Sequence, residues 1–491
     1  MKRSKFNLSN YHLLTMDMGK LIPINWLEAI PGDSIQQSTR ALIRCSPLLS
    51  PVFHPVRVRI HHWFVPNRLL WENWESFITG GPDGEDDSEV PTITIDTVIA
   101  SGSLADYLGV PIGDYTSNPI TVSALPFRAM NLIYNEWYRD QDLIQPLETL
   151  TTDGDDPTAY TIQNISWEKD YFTTCRPWEQ KGISPHIPLG DSAPVVGNGA
   201  PDFNVNTTVT PLYGVDAQQQ AQWSGPISGT GPAAWDDPKL TADLSQATGI
   251  AINDLRLALG IQRYQEARAQ YGSRYVEYLR SLGVRSSDAR LDNPEFLGGG
   301  RSTIQFSEVI QTTPDLVDPE TSFVGTLRGH GISGMKSNKY RRFFEEHGIV
   351  ITMLSVVPKA MYTTGLDRSF SRVTKEDYFQ KELQFLGDQE VFNKEIQTNH
   401  TAPEGIFGYQ QRYDEYRQAK SQTSGEMNDI LNYWHYARDF SGDVALNQSF
   451  IDAVPTKRVN AEQTTDVLYV MCNNSIQARR MLQPNPKPKT F

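Results

Sequence analysis

The sequence predicts a mainly β fold, and three observations support this fold class. The chain contains 35 glycines and 31 prolines scattered over 491 residues, which favours many strands and turns over a helical bundle. The side chains from Val56 to Val65 alternate in character with a period of two, as in a half-buried strand. No internal repeat of roughly 20–50 residues is visible, which argues against solenoids and propellers.

Further strands are predicted along the whole chain. The segment Ile349–Val357 is apolar enough to be buried on both faces, whereas Val467, Tyr469 and Met471 alternate with other residues. The further predicted strands are Ile35–Ile43, Thr92–Ile99, Thr207–Tyr213, Ser302–Thr312, Ile349–Val357 and Asp466–Cys472.

Three helices are predicted from apolar residues at helical spacing. Asn67 can cap the first, in which Trp71 and Trp74 recur on one side. The second spans Leu125–Asp140, with a proline in its first turn. The third begins at Asn253 and continues to Leu282.

The composition divides the chain into three parts. Residues 1–182 and 251–491 carry the predicted core, and residues 183–250 form an insertion between them. Ile183–Ala247 is rich in proline, glycine, asparagine, threonine and glutamine, which is typical of an exposed excursion and not of a core. A passive long loop is the alternative interpretation of this insertion.

Charge is distributed unevenly along the chain. The formal net charge of −14 argues against nucleic-acid binding over the whole surface. Acids concentrate in Pro82–Glu89 and Thr151–Thr158, whereas both ends of the chain are basic and lack acids. If the two ends lie on one side of the folded protein, that side is basic and the other acidic; otherwise the ends are merely solvated. The basic residues at the ends are Lys2, Arg3, Lys5, Arg479, Arg480, Lys487 and Lys489.

Cysteine and hydropathy patterns restrict the cellular location that the sequence predicts for the protein. Cys45, Cys175 and Cys472 are few and widely spaced, which predicts buried, reduced thiols in a cytoplasm. No run of eighteen apolar residues occurs, so no membrane span is expected. The basic start lacks an apolar segment behind it and is not a secretory signal.

No pattern in the sequence predicts catalysis, a cofactor or a metal site. His61 and His62 are neighbours in a strand and point to opposite faces, so they would not bind one metal ion. His435 and Asp439 lie one helical turn apart in a predicted helix, where an intrahelical hydrogen bond or a subunit contact is favoured over acid–base chemistry. The run Gly298–Gly300 lacks the residues of a phosphate loop and is interpreted as a turn.

The two acidic runs could supply oxygen ligands for Ca²⁺. Neither run has the spacing of a dedicated calcium loop, so solvated acidic loops are favoured. Paired carboxylates for glycoside hydrolysis need no local spacing and stay open at this point.

Five ordered blocks resemble the major capsid protein of the Microviridae, the small single-stranded DNA phages, and most closely its gokushovirus branch. They span nearly the whole chain and carry motifs such as WENWESFITGG and RAMNLIYNEWYRDQDL. The blocks are Ser4–Ile35, Arg57–Gly81, Arg128–Leu143 with Asp170–Gly182, Arg274–Gly300, and Gly405–Arg417 with Asn432–Phe440.

This resemblance implies a fold and a structural function. The implied fold is an eight-stranded antiparallel jelly roll of the viral capsid type, with long inserted loops and a few helices. The implied function is self-assembly through pentamers into a T=1 icosahedral shell around a circular single-stranded DNA genome, in a virion assembled in the bacterial cytoplasm. The insertion would then be a surface protrusion that meets a host receptor.

The resemblance also implies partners and candidate sites. Expected partners are further copies of the chain, the genome, a small basic DNA-binding protein, a pilot protein and an internal scaffolding protein. The basic residues at both ends are candidates for facing DNA. Trp26, Trp71, Trp74 and Trp137 are candidates for anchoring contacts between subunits.

The alternative function is a carbohydrate-active β-sandwich, either a binding module or a glycosidase. The tryptophan and tyrosine content and the acidic loops support it. Particle size separates the two hypotheses, because a capsid protein forms very large particles or pentamers and a glycan-binding protein stays small.

Overall fold

A computed structural model describes residues 3–81, 85–182, 252–271, 292–312 and 324–484, together with short strands between 195 and 242. The chain forms two compact units. The first combines residues 1–179 with 270–491, and the second is Gln180–Ala269.

The first unit is built on one large antiparallel sheet of ten strands. Eight of them lie on a continuous path, and β2 and β8 pair with strands of that path. The strands are Ser4–Asn7 (β1), Asn10–Met16 (β2), Leu21–Ala29 (β3), Ser34–Cys45 (β4), Val56–Pro66 (β5), Glu295–Ile310 (β6), Leu327–Lys336 (β7), Tyr340–Phe343 (β8), Gly348–Pro358 (β9) and Leu468–Arg480 (β10).

The sheet curls into two facing layers because β6 pairs with different strands at its two ends. Residues 295–304 of β6 pair with β5, and residues 305–310 pair with β7. One layer therefore runs β3–β9–β5–β6, and the other runs β6–β7–β4–β10, extended by β1 and β2 on β10 and by β8 on β4. Burial of apolar side chains between the layers holds them together.

The core between the layers takes alternate residues from each strand. Ile60 of β5, Ile43 of β4 and Val356 of β9 have no exposed surface and belong to one apolar cluster. This arrangement confirms the predicted fold class, a mainly β antiparallel sandwich of the jelly-roll kind. The predicted strands at 35–43 and 349–357 are confirmed within β4 and β9, and the predicted strand at 466–472 overlaps β10, which begins at Leu468.

The core also contains a chain of polar side chains that satisfy one another. His62 on β5 has no exposed surface, and its ring nitrogens lie 2.8 Å from Thr352 Oγ1 and 2.9 Å from Ser337 Oγ. Gln37 on β4 donates to the same Thr352 hydroxyl, and Tyr340 donates to Gln37. Burial lowers the pKa of His62 to about 3, so this ring stays neutral inside the sandwich.

Helices cover one outer side of the sandwich. They are Trp74–Thr79 (α1), Leu104–Leu108 (α2) and Leu125–Ile133 (α3), and α3 ends in a π-helical turn at Tyr134–Tyr138. In α3 almost every side chain is buried, because the helix lies between β5 and β9 on one side and loops on the other. The predicted helix Leu125–Asp140 is confirmed, and Gly80 ends α1 with φ near +82°.

A third layer of loops and short elements surrounds a separate apolar cluster that includes Phe172, Ile396 and Phe450. Its regular elements are the hairpin Asp388–Phe392 with Ile406–Gln411 and the short helices Asn393–Ile396 and Gln448–Ile451.

The second unit contains two small sheets and most of one helix. The larger sheet has four strands, Ala221–Trp223, Thr208–Gly214, Asp202–Val205 and Ala234–Asp237, and the smaller pairs Val195–Gly197 with Leu240–Ala242. The helix is Ile252–Tyr271, which belongs to this unit up to residue 269.

Four predictions about local secondary structure are wrong. The first predicted helix does not begin at Asn67: Asn67–Leu69 is a single 3₁₀ turn, Trp71 lies outside any helix, and α1 begins only at Trp74. Gly298–Gly300 is not a turn, since it lies within β6 and pairs with β5. Glycine is needed there because the two backbones approach closely: a Cβ at Gly299 would come 2.4 Å from the carbonyl oxygen of Ile60. Residues 432–440 do not form a helix beyond the single 3₁₀ turn Asn432–Trp434. Thr92–Ile99 is two short strands that pair with different partners. The predicted helix residues 272–282 lie outside the described part of the chain.

Candidate assembly and nucleic-acid surfaces

The two outer sides of the sandwich differ in what covers them. We call the outward side of β3, β5 and β9 the covered face, because Trp63, Ile351 and Met353 on it pack beneath α2, α3 and Trp71. We call the outward side of the other layer the open face. It consists of Lys5, Asn7, Tyr11, Leu13, Thr15, Ser34, Gln36, Ser38, Arg40, Leu42, Arg44, Gln305, Ser307, Val309, Arg328, His330, Ile332, Gly334, Lys336, Arg341, Phe343, Tyr469, Met471, Asn473, Ser475, Gln477 and Arg479.

Strand register places the open-face residues in rows across the layer. Arg40 pairs with Lys336 on one side and with Asn473 on the other, and Asn473 pairs with Tyr11. Arg44 lies in the next row but one, between Ile332 and Tyr469. Because side chains opposite each other on one face lie about 5 Å apart, residues distant in sequence form one continuous surface.

The open face carries positive charge without negative charge. Its cations are Lys5, Arg40, Arg44, Arg328, Lys336, Arg341 and Arg479, and none of its residues is an aspartate or glutamate. No ion pair joins these cations to a carboxylate in the described part of the chain. Asp466, whose carboxylate accepts a hydrogen bond from Thr15, stands at the edge of the face.

Aromatic and aliphatic side chains lie between these cations. Tyr11 is 71% exposed and Leu13 is 73% exposed, and Tyr469 and Phe343 each keep nearly half of their surface in solvent. Two open grooves, of about 550 and about 950 Å³, meet at Arg44 and Tyr469. A surface of this kind can contact a partner through charge and through ring stacking together.

The structure places part of the predicted basic set on this face. Lys5 pairs with Arg479, and both point outward on β1 and β10. The Arg3 guanidinium lies 5.2 Å from the centre of the Phe343 ring and donates to Ser34 Oγ. Lys2, Lys487 and Lys489 lie outside the described residues, so their role stays a prediction.

Arg480 differs from its neighbour Arg479. Its Nε lies 3.0 Å from Oδ2 of Asp33, a carboxylate that is almost completely buried. Burial raises the pKa of Asp33, and the guanidinium acts in the opposite direction. Arg480 therefore stabilises the turn before β4 within its own chain.

The four tryptophans predicted at subunit contacts occupy different environments. Trp71 has no exposed surface and donates to Asp153, so we reassign it to the core of the single chain. Trp26 is half-buried and donates to the carbonyl oxygen of Leu108. Trp74 is half-buried against the His347 ring.

Trp137 is the most exposed of the four. It keeps 44% of its surface in solvent while its ring packs on Trp63. Its indole nitrogen donates to the carbonyl oxygen of Pro294. The subunit contacts themselves stay a prediction for these residues, and Trp137 has the most surface available for one.

The acidic run at 151–158 is not a solvated loop. Asp156 is buried with Arg128, whose Nε lies 2.7 Å from Oδ2, and Asp153 accepts hydrogen bonds from Trp71 and Asn73. Hydrogen bonds from Thr158 and Arg128 lower the pKa of Asp156 although burial acts in the opposite direction. No cluster of metal-ligating residues occurs among the described residues.

His61, His62 and His435 make structural contacts. His61 contacts the Tyr138 hydroxyl on the covered face, whereas His62 points into the core, so the prediction that they diverge is confirmed. His435 lies 2.7 Å from the carbonyl oxygen of Met427 and is not paired with Asp439. The three cysteines are buried and unpaired, as predicted.

Comparison with known proteins identifies the family to which this sandwich belongs. The sequence model of the family described as capsid protein (F protein) matches residues 1–483, nearly the whole chain. The chain belongs to this capsid protein family. It is therefore a structural major capsid protein and a component of the virion, not an enzyme, and the carbohydrate-active alternative is set aside.

Curated relatives agree over most of the length. The chain is 37% identical to capsid protein VP1 of Bdellovibrio phage phiMH2K, over 92% of this chain and 88% of the relative. It is 32% identical to capsid protein VP1 of Chlamydia phage 1, over 92% and 89%. It is 30% identical to capsid protein VP1 of Spiroplasma virus 4, over 89% and 85%. These capsid proteins place the chain in the gokushovirus-like group, as the sequence motifs predicted.

No described helix is long and apolar enough to cross a membrane.

Sequence reasoning missed most of the open face, because its strands come from both ends of the chain and from residues 305–343. The available signals were the predicted strands at 35–43, 302–312 and 466–472, which contribute to this layer but do not indicate that they lie side by side.

Proposed function

We propose that this capsid protein assembles through pentamers into a T=1 icosahedral shell that encloses a circular single-stranded DNA genome. The observation that carries the proposal is the family match over the whole jelly-roll unit, since heterologous contacts around a closing rotation give rings and closed shells. Assembly takes place in the bacterial cytoplasm, which fits three buried, unpaired cysteines.

The proposal includes partners besides the capsid protein itself. The genome contacts basic residues near the two ends of the chain, among which Arg3, Lys5 and Arg479 are exposed in the described structure. A small basic DNA-binding protein, a pilot protein and an internal scaffolding protein complete assembly and packaging. Trp26, Trp74 and Trp137 contribute to contacts between subunits.

The insertion at residues 183–250 is proposed as a surface protrusion that meets a host receptor. Its support is compositional: the segment is polar and rich in turns. The second compact unit, Gln180–Ala269, includes this segment and forms its own small sheets.

The size of the expressed protein tests the assembly proposal. Wild-type protein produced with its genome and companion proteins should elute as pentamers or as megadalton particles, and negative-stain images should show uniform icosahedra. A species that stays at 55.4 kDa under these conditions would contradict the proposal. Replacement of residues 183–250 by a short glycine–serine linker should leave assembly intact and abolish adsorption to host cells.

A further inference from the structure

We propose that the open face of the main sheet binds single-stranded DNA without regard to sequence and forms the genome-contacting wall of the shell. This inference deepens the proposed function and rests on it. It assigns the genome contact to the middle of the sheet, including Arg40, Arg44 and Lys336, in addition to the basic ends of the chain.

Charge is the first argument for this partner. The whole chain is acidic, with 58 aspartates and glutamates against 44 lysines and arginines, yet the open face contains cations and no acid. A surface that excludes acids in an acidic protein is complementary to a polyanion. It also disfavours a second copy of the same acidic chain as the occupant of this face.

The spacing of the cations is the second argument. Arg40 and Lys336 are direct neighbours across two strands, and Arg44 lies four residues from Arg40 on the same face. At about 3.4 Å per residue this places Arg44 roughly 14 Å farther along the strand. Lys5 and Arg479 continue the positive charge at the other end of the layer. A flexible single strand can follow such a track with its phosphates.

Exposed rings supply the third argument. Tyr469 borders both open grooves beside Arg44, and Tyr11 lies on the outer strand next to Asn473. A sheet face with accessible tyrosines among arginines offers stacking platforms for unpaired bases, which a duplex would not present. The combination therefore favours single strands over double-stranded DNA and over acidic proteins.

The test compares two triple variants with equal loss of charge. The open-face variant is Arg40→Gln, Arg44→Gln and Lys336→Gln. The matched control is Arg301→Gln, Lys375→Gln and Lys381→Gln, which removes exposed cations outside the open face. Soluble subunits of each are titrated with a fluorescent oligothymidine at several salt concentrations, after thermal melting has shown that they are folded.

The expected result is a change in the salt dependence of binding. Each neutralised phosphate contributes about 0.7 to the slope of log K against log salt, so the open-face variant should lose about 2 from this slope. The control should bind like the wild type. A variant with Arg40→Lys and Arg44→Lys should keep the slope, and Tyr469→Ala should weaken binding by about fivefold or more while the slope stays constant.

Particles provide the second measurement. The open-face variant should assemble shells with less DNA per particle than the control. Normal DNA content and an unchanged salt slope in the open-face variant would overturn the inference while leaving the shell itself in place. Loss of assembly with unchanged oligonucleotide affinity would overturn it in favour of a subunit contact. Failure of the wild type to form any particle would instead contradict the proposed function.

Discussion

The covered and open faces belong to one sandwich, yet they have opposite surface chemistry. On the covered face β9 is buried over all eleven of its residues, because the core lies on one side and α3 on the other. On the open face β10 alternates between buried and accessible residues over most of its length. The difference teaches that helices and loops of the same chain cover one side of the sandwich, whereas the other side is accessible to a partner.

The two faces should therefore respond differently to mutation. Substitutions on the covered face remove packing and buried polar contacts, so they should lower the free energy of unfolding. Substitutions on the open face should leave the free energy of unfolding almost unchanged and alter binding. Four predictions, from the largest expected effect to the smallest, examine this contrast.

The first prediction concerns the buried ion pair behind the covered face. Arg128→Ala should lower the free energy of unfolding by about 3–5 kcal/mol, because it leaves the carboxylate of Asp156 buried and uncompensated. Urea unfolding of soluble subunits measures the change. Arg40→Ala on the open face is the control and should change it by less than about 0.5 kcal/mol. An equal decrease in the free energy of unfolding in both variants would contradict the proposed difference between the two faces.

The second prediction compares two aliphatic truncations. Ile351→Ala on β9 should lower the free energy of unfolding by about 2–5 kcal/mol, since Ile351 has no exposed surface and truncation leaves a cavity. Leu13→Ala on β2 should lower it by less than about 0.5 kcal/mol, since Leu13 is already largely in solvent. Parallel urea titrations measure both changes. A large decrease for Leu13→Ala would mean that another part of the same chain covers the open face.

The third prediction compares two glycines in strands. Gly299→Ala should destabilise the protein by about 1–3 kcal/mol, because its Cβ would come 2.4 Å from the carbonyl oxygen of Ile60. Gly334→Ala on the open face is the matched control, with no atom within 4 Å of the added Cβ. Its thermal midpoint should equal or exceed that of the wild type. A tolerated alanine at 299 would refute the tight pairing of β6 with β5.

The fourth prediction concerns pH. The folded-state pKa of His62 is about 3, below its ordinary value of 6.5, so its stabilising contribution is complete above pH 6.5 and is lost as pH falls toward 3. At pH 5.5 that loss is about 1.4 kcal/mol. His62→Asn should therefore show a weaker drop in stability between pH 7.5 and 5.5 than the wild type.

His330 on the open face provides the control for this pH experiment. Its side chain is exposed and contacts Ser307, so His330→Asn controls for the loss of a histidine outside the core and should keep the wild-type thermal midpoint at pH 7.5. If His62→Asn loses as much stability between pH 7.5 and 5.5 as the wild type, the neutral histidine within the core is not a source of acid sensitivity.

Sequence patterns predicted the strands whose burial is uniform or strictly alternating. The apolar run at 349–357 predicted a strand buried on both faces, and β9 is such a strand. The alternation at 467–471 predicted a strand, and in β10 Tyr469 and Met471 are the exposed residues while Leu468 and Val470 are buried. Strands β7 and β8, which both pair with β4, escaped prediction, because Gly329, Gly331 and Gly334 interrupt any apolar pattern in β7 and β8 has only four residues. Gly298–Gly300 was misread because close backbone approach inside a sheet needs the same residue as a turn.

The open face was beyond prediction for a different reason. Arg40, Lys336 and Tyr469 are each more than a hundred residues apart in sequence, and only strand register brings them onto one surface. The ends of the chain could be recognised as basic without the fold, so Lys5 and Arg479 were found. The pairing of Arg480 with Asp33 depends on the turn before β4, which composition does not reveal.

The most direct measurement of the central claim is a cryo-electron microscopy map of genome-filled particles. The account predicts that the open face lines the interior, with density for nucleic acid against Arg40, Lys336 and Tyr469. A map that places this face on the outside of the shell, or beneath a neighbouring subunit, would contradict it.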